Sequence, residues 1–138
     1  MRGLGPVGVA VVGAVVLAGG LAGCNGGGSE AGDGTTPADP VAARGKGLVE
    51  ERACLSCHTT DGTRLTGPSW KGLAGSTVEL ADGRRVVADR DYLRRAVQDP
   101  NAELVKGFPS GIMAAVVKPG SVSDEEADAI AAYIETLK

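Results

Sequence analysis

Apolar residues recur at intervals of three and four positions in three segments of this chain, and that spacing predicts three helices. The first covers about residues 40–53, with Asp39 as the N-cap and Pro40 at the first helical position. The second covers 89–98 and is stopped by the proline that follows it. The third begins at Ser123 and runs to the C-terminus.

The third helix has a complete start signal in the sequence. Ser123 and Glu126 match a capping box, in which each side chain accepts a hydrogen bond from the backbone N–H of the other residue. The acidic residues in 124–128 follow directly. They are best explained as negative charge that favours the positive N-terminal end of a helix.

Two glycines interrupt the first predicted helix. Gly45 and Gly47 each weaken a helix by about 1 kcal/mol relative to alanine. Glycines kept at that cost indicate a packing reason, and we expect another helix to cross closely at these positions.

The rest of the chain predicts one hairpin and two long irregular segments. Residues 77–88 alternate on both sides of Asp82-Gly83, which is the signal of a short hairpin. The segments 58–75 and 99–122 are rich in glycine and proline. Because loops of that length are uncommon in a compact domain, we expect them to wrap around something. The pattern therefore predicts a mainly α fold of three to four helices with a small β-hairpin near 77–88.

Composition narrows the class of protein. A chain of 138 residues suggests one domain, and 14 basic against 17 acidic side chains do not suggest a nucleic-acid surface. Only four residues are aromatic: one Trp, two Tyr and one Phe. Such a chain builds a thin core, which would gain stability from a staple, a metal or a large apolar cofactor.

The N-terminal residues have the features of an export signal. Arg2 supplies a positive charge, and the apolar run 7–18 has the length of a signal-peptide core rather than of a membrane span. The tetrapeptide Leu-Ala-Gly-Cys that ends at Cys24 resembles the bacterial lipobox, whose cysteine is acylated. The alternative is an ordinary signal peptide with a chance cysteine. The lipobox reading predicts a domain that is tethered stably to a membrane, outside the cytoplasm.

The sequence therefore divides into three parts. Residues 1–23 are interpreted as a lipoprotein signal peptide, and 24–40 as the lipidated cysteine and a flexible linker rich in Gly, Ser, Thr and Pro. Sixteen residues of such coil reach about 20 Å. Residues 41–138 form the globular domain.

The chemistry of this domain is concentrated in the sequence Cys54-Leu55-Ser56-Cys57-His58. A thioredoxin-like pair would need a βαβ pattern, and a zinc site would need two further Cys or His ligands, both of which the domain lacks. A disulfide between such close cysteines would be strained. The C-x-x-C-H spacing is that of c-type haem attachment, in which Cys54 and Cys57 form thioethers with one covalent haem c and His58 binds its iron.

A six-coordinate haem iron needs a second axial ligand, and His58 is the only histidine. Met113 is the one methionine left after removal of the signal peptide, and it lies in a Gly/Pro-punctuated apolar loop. The other candidates are Lys106 and Lys118. Met113 is therefore our expected ligand, although methionines more commonly fill gaps in a core. Four arginines are candidate partners of the haem propionates or else a solvated face: Arg84, Arg85, Arg94 and Arg95.

From ARGKGLVEERACLSCH to the C-terminus, over about residues 42–138, the sequence resembles class I cytochrome c. It is most similar to the cytochrome c domain of bacterial haem-copper oxidase subunit II, in the stretch ELADGRRVVADRDYLRRAVQDPNAELVKGFPSGIM. The chain carries neither the copper-binding domain nor the transmembrane hairpin of those fused proteins. We therefore expect a free, lipid-tethered cytochrome with the cytochrome c fold.

This resemblance implies roles for further residues. In GPSWKGLAG, the carbonyl of Pro68 would accept the Nδ1 proton of the haem-binding histidine, and Trp70 would press on the porphyrin. Gly45 would lie where the N- and C-terminal helices cross, beside Tyr133. Met113 falls on the family's methionine, but alanine follows it here where the family often has proline. Position 49 is valine, where an aromatic residue is common.

The expected function is transfer of single electrons between respiratory-chain partners, such as a quinol-oxidising complex and a terminal oxidase. The sequence shows no Ser/His/Asp arrangement and no phosphate loop, so we expect an electron carrier rather than an enzyme, with no small-molecule substrate and no nucleic-acid partner. The expected location is the periplasmic side of a bacterial membrane, with Cys24 as the anchor. Two alternatives remain: a haem-bearing accessory subunit of a larger respiratory complex, or a haem sensor with an open sixth site.

Overall fold

The computed structural model describes residues 39–138 as a mainly helical domain with one small antiparallel hairpin, as the sequence predicts. Its helices are α1 (Pro40–Glu51), α2 (Arg90–Gln98), α3 (Ile112–Val116) and α4 (Asp124–Glu135). A 3₁₀ turn covers Cys54–Ser56, and the hairpin strands are β1 (Thr77–Glu79) and β2 (Arg85–Val87). The signal peptide and the lipid anchor at Cys24, both predicted above, lie outside the described residues.

The three predicted helices are confirmed, and local caps fix where each begins. The Asp39 carboxylate accepts a hydrogen bond from the backbone N–H of Val41 at 2.9 Å. At the start of α4 the capping box is present: the Ser123 hydroxyl accepts from the N–H of Glu126 at 3.2 Å, and the Glu126 carboxylate accepts from the N–H of Ser123 at 2.9 Å. The first helix ends at Glu51, two residues earlier than predicted, and the third ends at Glu135 rather than at the C-terminus.

Helices α1 and α4 cross at Gly45. A Cβ atom on this residue would overlap the backbone carbonyl oxygen of Ala129 and lie 3.0 Å from the Cβ of Tyr133. The expected packing reason is therefore confirmed for Gly45. It is wrong for Gly47, because a Cβ there would meet nothing within 4 Å.

The predicted hairpin is present, and its two strands pair in antiparallel register. Val78 pairs with Val86, and the N–H of Leu80 donates to the carbonyl of Arg84 at 2.8 Å. Gly83 closes the turn with a φ of +89°, which is the left-handed position of a three-residue hairpin loop. The other edge of β1 is bonded to the chain around Leu104 and Lys106.

Helix α3 was not predicted, because its five residues fall within the segment 99–122, which we expected to be a loop. Gly111 precedes it in the left-handed conformation, and no side chain caps it. A helix of little more than one turn is too short to show a helical period in the sequence. Met113 therefore lies in a short helix rather than in a loop.

The core lies between α4, α1, α2 and the hairpin, and its largest fully buried side chains are Leu80, Ile130 and Val49. The acidic residues at the start of α4 do more than favour the helix N-terminus. Glu126 pairs with Arg52 at 2.6 Å, and Asp128 pairs with Arg90 at 3.2 Å. Within residues 39–138, no helix has both the length and the apolar character needed to cross a membrane.

Candidate functional site

A cavity of about 750 Å³ lies within the domain, in the size range of cofactor pockets. It is bordered mainly by apolar side chains, and both glycine- and proline-rich segments contribute to its wall. The irregular segments therefore do wrap around a space. The four residues predicted to bind haem all line this cavity: Cys54, Cys57, His58 and Met113.

The His58 imidazole is buried and held from one side. Its Nδ1 lies 2.8 Å from the carbonyl oxygen of Pro68, so Nδ1 carries the proton and donates it in a hydrogen bond. That tautomer leaves Nε2 with a free lone pair, which is the state that binds a metal ion. Burial lowers the pKa of His58 below its ordinary value, although the hydrogen bond to Pro68 opposes this effect. The ring is therefore neutral at neutral pH.

Trp70 packs directly on this imidazole. The two ring centroids are 4.8 Å apart, and the ring planes differ by 21°. The side chain is 5% exposed and lines the cavity as well, while its backbone N–H donates to the carbonyl of Thr59 at 2.8 Å. Trp70 thus fixes the orientation of the histidine ring, which adds a contact to the packing on a porphyrin that the resemblance implied.

Gly67 makes room for the same ring, and the sequence reasoning missed it. A Cβ atom at this position would lie 2.5 Å from Cε1 and 2.7 Å from Nδ1 of His58. Its backbone N–H donates to the carbonyl of Cys57 at 2.8 Å, which holds the loop against the motif. The signal that could have found it is its place directly before Pro68.

The two cysteines lie on a tight turn at the edge of the cavity. Backbone N–H groups of Cys57 and His58 donate to the carbonyl of Cys54 at 3.2 and 3.1 Å. Both thiols are free and partly exposed, so the disulfide alternative is not formed. Burial raises the pKa of the Cys54 thiol, which is therefore protonated at neutral pH. The turn begins at Ala53, whose φ of +52° is left-handed.

The candidate sixth ligands differ in whether they line the cavity and whether they are already paired. Met113 is half-buried and lines the cavity. Lys106 also lines it, but its Nζ pairs with Glu79 at 2.6 Å. Lys118 is exposed and does not line the cavity. The cavity therefore favours Met113.

The arginines considered as propionate partners point elsewhere. None of Arg84, Arg85, Arg94 and Arg95 lines the cavity. Arg84 pairs with Asp82 at 2.7 Å, and Arg95 pairs with Glu103 at 3.1 Å. The cations that do line the cavity are Arg52 and Lys106, which the sequence reasoning did not consider for this role.

These residues fit a covalently attached haem. Two free thiols and a neutral imidazole with an available Nε2 border one apolar cavity, which also receives a thioether. Within residues 39–138, no cluster of three or more Cys, His, Asp or Glu side chains is arranged to hold a metal ion. These residues therefore offer no further ligands for the zinc site that was considered as an alternative.

Comparisons with known proteins give two findings. The family model described as Cytochrome c matches residues 42–138. Among solved structures, cytochrome cH from Methylobacterium extorquens is similar, with 26% sequence identity, a TM-score of 0.49, and coverage of 69% of this chain and 97% of that chain. A search of curated proteins finds no match.

Proposed function

Since the chain belongs to the cytochrome c family, we propose that it is a membrane-tethered monohaem cytochrome that carries single electrons between respiratory-chain partners. Family membership makes it an electron carrier rather than an enzyme, with covalently bound haem c, and it confirms the predicted cytochrome c fold. When bound, the haem iron supplies the chemistry by taking up and releasing one electron.

The assignment of the haem-binding residues rests on one observation, which is that all four of them line the same cavity. We propose that Cys54 and Cys57 form the two thioether bonds, that His58 is one axial ligand, and that Met113 is the other. Pro68 fixes the tautomer of the histidine through a hydrogen bond of 2.8 Å, and Trp70 fixes its ring plane by stacking. When the positions of the ligands are fixed, the reorganisation energy that accompanies gain or loss of one electron is small.

Partners and location form the finer part of the proposal. Four exposed apolar residues lie in or beside the segments that form the cavity wall: Leu55, Leu65, Ile112 and Val116. Such a rim suits small, short-lived interfaces. The proposed donor is a quinol-oxidising complex and the proposed acceptor a terminal oxidase. This part rests on the resemblance to the cytochrome c domain of oxidase subunit II.

The proposed anchor is a lipid on Cys24, at the end of the lipobox-like tetrapeptide. Acylation there would hold the domain on the periplasmic side of a bacterial membrane. The linker that follows would raise its effective concentration near membrane partners. Replacement of Cys24 by alanine is expected to move the haem-stained protein from the membrane fraction to the soluble one. Retention of the variant in the membrane would contradict the anchor.

The site assignment is tested with protein from a host that attaches haem c. Haem staining after denaturing electrophoresis should be positive for the wild type and lost in the double variant Cys54→Ala/Cys57→Ala. The oxidised wild type should show the thioether–iron charge-transfer band, and Met113→Ala should lack it. A colourless wild type, or a band that persists in Met113→Ala, would overturn the assignment. Co-purification with a respiratory complex would instead indicate a fixed accessory subunit.

A further inference from the structure

The methionine segment, defined as residues 107–120, is anchored at its two ends. On the upstream side the N–H of Lys106 donates to the carbonyl of Glu79 at 2.9 Å. On the downstream side the carbonyl of Ser121 accepts from the Arg52 guanidinium at 3.2 Å, and Val122 is buried. Between these anchors the chain must hold Met113 in place over fourteen residues.

One side chain grips this segment from elsewhere in the fold. The Arg64 guanidinium donates to the carbonyl oxygen of Gly107, and its central carbon lies 4.2 Å from the centre of the Phe108 ring. Within the described residues 39–138, this is the single hydrogen bond between the methionine segment and any residue outside 99–122. The remaining bonds of the segment are local, such as that from the N–H of Gly111 to Asn101.

Arg64 is itself held in the loop that follows the histidine. The Thr59 hydroxyl donates to the carbonyl of Thr63 at 2.5 Å, and the N–H of Thr63 donates to Asp61 at 2.8 Å. Among the ion pairs of the part of the chain that the structure describes, none involves Arg64. Its guanidinium is therefore engaged with Gly107 and Phe108 rather than with a carboxylate.

We propose that Arg64 is a positioning residue for Met113, which it serves by clamping the methionine segment to the loop that follows His58. The inference rests on the proposed function, because it takes Met113 as the axial ligand. A planar guanidinium can donate to a carbonyl and stack on an aromatic ring at the same time, which a lysine cannot do. With the clamp in place, less conformational freedom is lost when the thioether binds, so a foreign ligand competes less well.

Imidazole titration of the oxidised, haem-loaded full-length protein measures this competition directly. Arg64→Ala should bind imidazole about fivefold to tenfold more tightly than the wild type, where tenfold corresponds to about 1.4 kcal/mol. Arg64→Lys should fall between them, and Phe108→Leu should act in the same direction as Arg64→Ala. Arg85→Ala is the matched control, because Arg85 is an exposed arginine outside the cavity wall, and its imidazole affinity should equal that of the wild type.

Arg90→Ala distinguishes a positioning role of Arg64 from a general loss of stability. Arg90 ties α2 to α4 through Asp128 and Glu135, far in sequence from the clamp, so its loss should lower the denaturation midpoint without changing the affinity for imidazole. The proposal is overturned if Arg64→Ala and Phe108→Leu stay within twofold of the wild type, or if Arg90→Ala tightens imidazole binding as much as they do.

Failure of the axial assignment has a different signature. In that case the wild type lacks the thioether–iron band, and Met113→Ala binds imidazole no more tightly than the wild type. Both the assignment and the clamp then fall. If the band is present and Met113→Ala gains affinity while the two clamp variants do not, the clamp alone is wrong.

Discussion

Gly45 lies against the backbone carbonyl of Ala129: a Cβ atom at this position would overlap the carbonyl oxygen, so α1 and α4 meet here without a side chain between them. Glycine weakens the isolated helix α1 by about 1 kcal/mol relative to alanine. In return it allows α1 and α4 to approach with their backbones in contact. The terminal helices thereby enclose the core that supports the haem cavity.

This contact predicts opposite outcomes for one substitution at two neighbouring glycines. Gly45→Ala should lower the free energy of unfolding by about 1–3 kcal/mol, because the added methyl group forces the helices apart. Gly47→Ala should raise it by about 1 kcal/mol, since only helix propensity changes at an open position. Chemical denaturation of the haem-loaded protein measures both. Equal effects of the two changes would contradict the close crossing.

A second prediction concerns the space that Gly67 leaves for His58. Gly67→Ala should displace the imidazole ring, because the new Cβ would lie 2.5 Å from its Cε1. We expect a mixture of low-spin and high-spin haem in visible spectra, together with a lower denaturation midpoint. Thr66→Ala is the control, because this neighbour also lines the cavity but already carries a Cβ. A fully low-spin Gly67→Ala protein would contradict the prediction, because it would show that the displaced imidazole still binds the haem iron.

The strained residue before the motif gives a third prediction. Ala53 has a φ of +52°, and this left-handed conformation costs a residue with a Cβ about 1–2 kcal/mol. Ala53→Gly should therefore stabilise the protein by a net of about 0.5–1 kcal/mol, as measured by urea unfolding, because relief of this strain exceeds the extra chain entropy that glycine loses on folding. The same change at an exposed position in the first half of α1, Ala43→Gly, should destabilise by about 1 kcal/mol. A loss of stability in both variants would argue against the left-handed turn.

The fourth prediction is a pH dependence that arises at the start of α4. The hydrogen bond from the backbone of Ser123, and next the Arg52 guanidinium, lower the pKa of Glu126 below its ordinary value of 4.5. A carboxylate with a lowered pKa in the folded state adds stability above its ordinary pKa, and that contribution is lost as the pH falls through the folded-state pKa. Acid should therefore weaken the connection between α1 and α4.

Glu126→Gln isolates this effect, because glutamine can still complete the capping box but cannot pair with Arg52 as a charge. The variant should be less stable than the wild type at pH 7. The difference should shrink as the pH falls below the ordinary pKa of glutamate and vanish once the pH has passed the lowered folded-state pKa of Glu126. Glu51→Gln, at an exposed position at the end of α1, serves as the control. Glu51 takes part in no ion pair among the described residues 39–138, so this variant should be as stable as the wild type at pH 7. Thermal melts at a series of pH values measure both. A difference that persists in acid would mean that the charge of Glu126 is not its source.

Much of the fold was already determined by local sequence. Asp39 and Ser123 cap their helices because their side chains bond to N–H groups two or three residues away, and such bonds need no tertiary partner. The hairpin follows for the same reason, since its turn depends on a glycine that can take a positive φ. The C-x-x-C-H motif also belongs to this class, because its residues are adjacent along the chain.

Tertiary structure decided which residues meet. Gly45 and Gly47 look alike in the sequence, but only Gly45 faces another backbone. Trp70 stacks on His58, and Arg64 reaches Gly107, because separate loops fold around one cavity. These two contacts join residues 12 and 43 positions apart, and their geometry depends on how the chain between them folds. Local hydrogen bonding and steric preference could therefore be predicted from the sequence, and the contact of Pro68 with His58 from the family resemblance. The contacts of Trp70 and Arg64 depended on how distant loops pack, so only the tertiary structure revealed them.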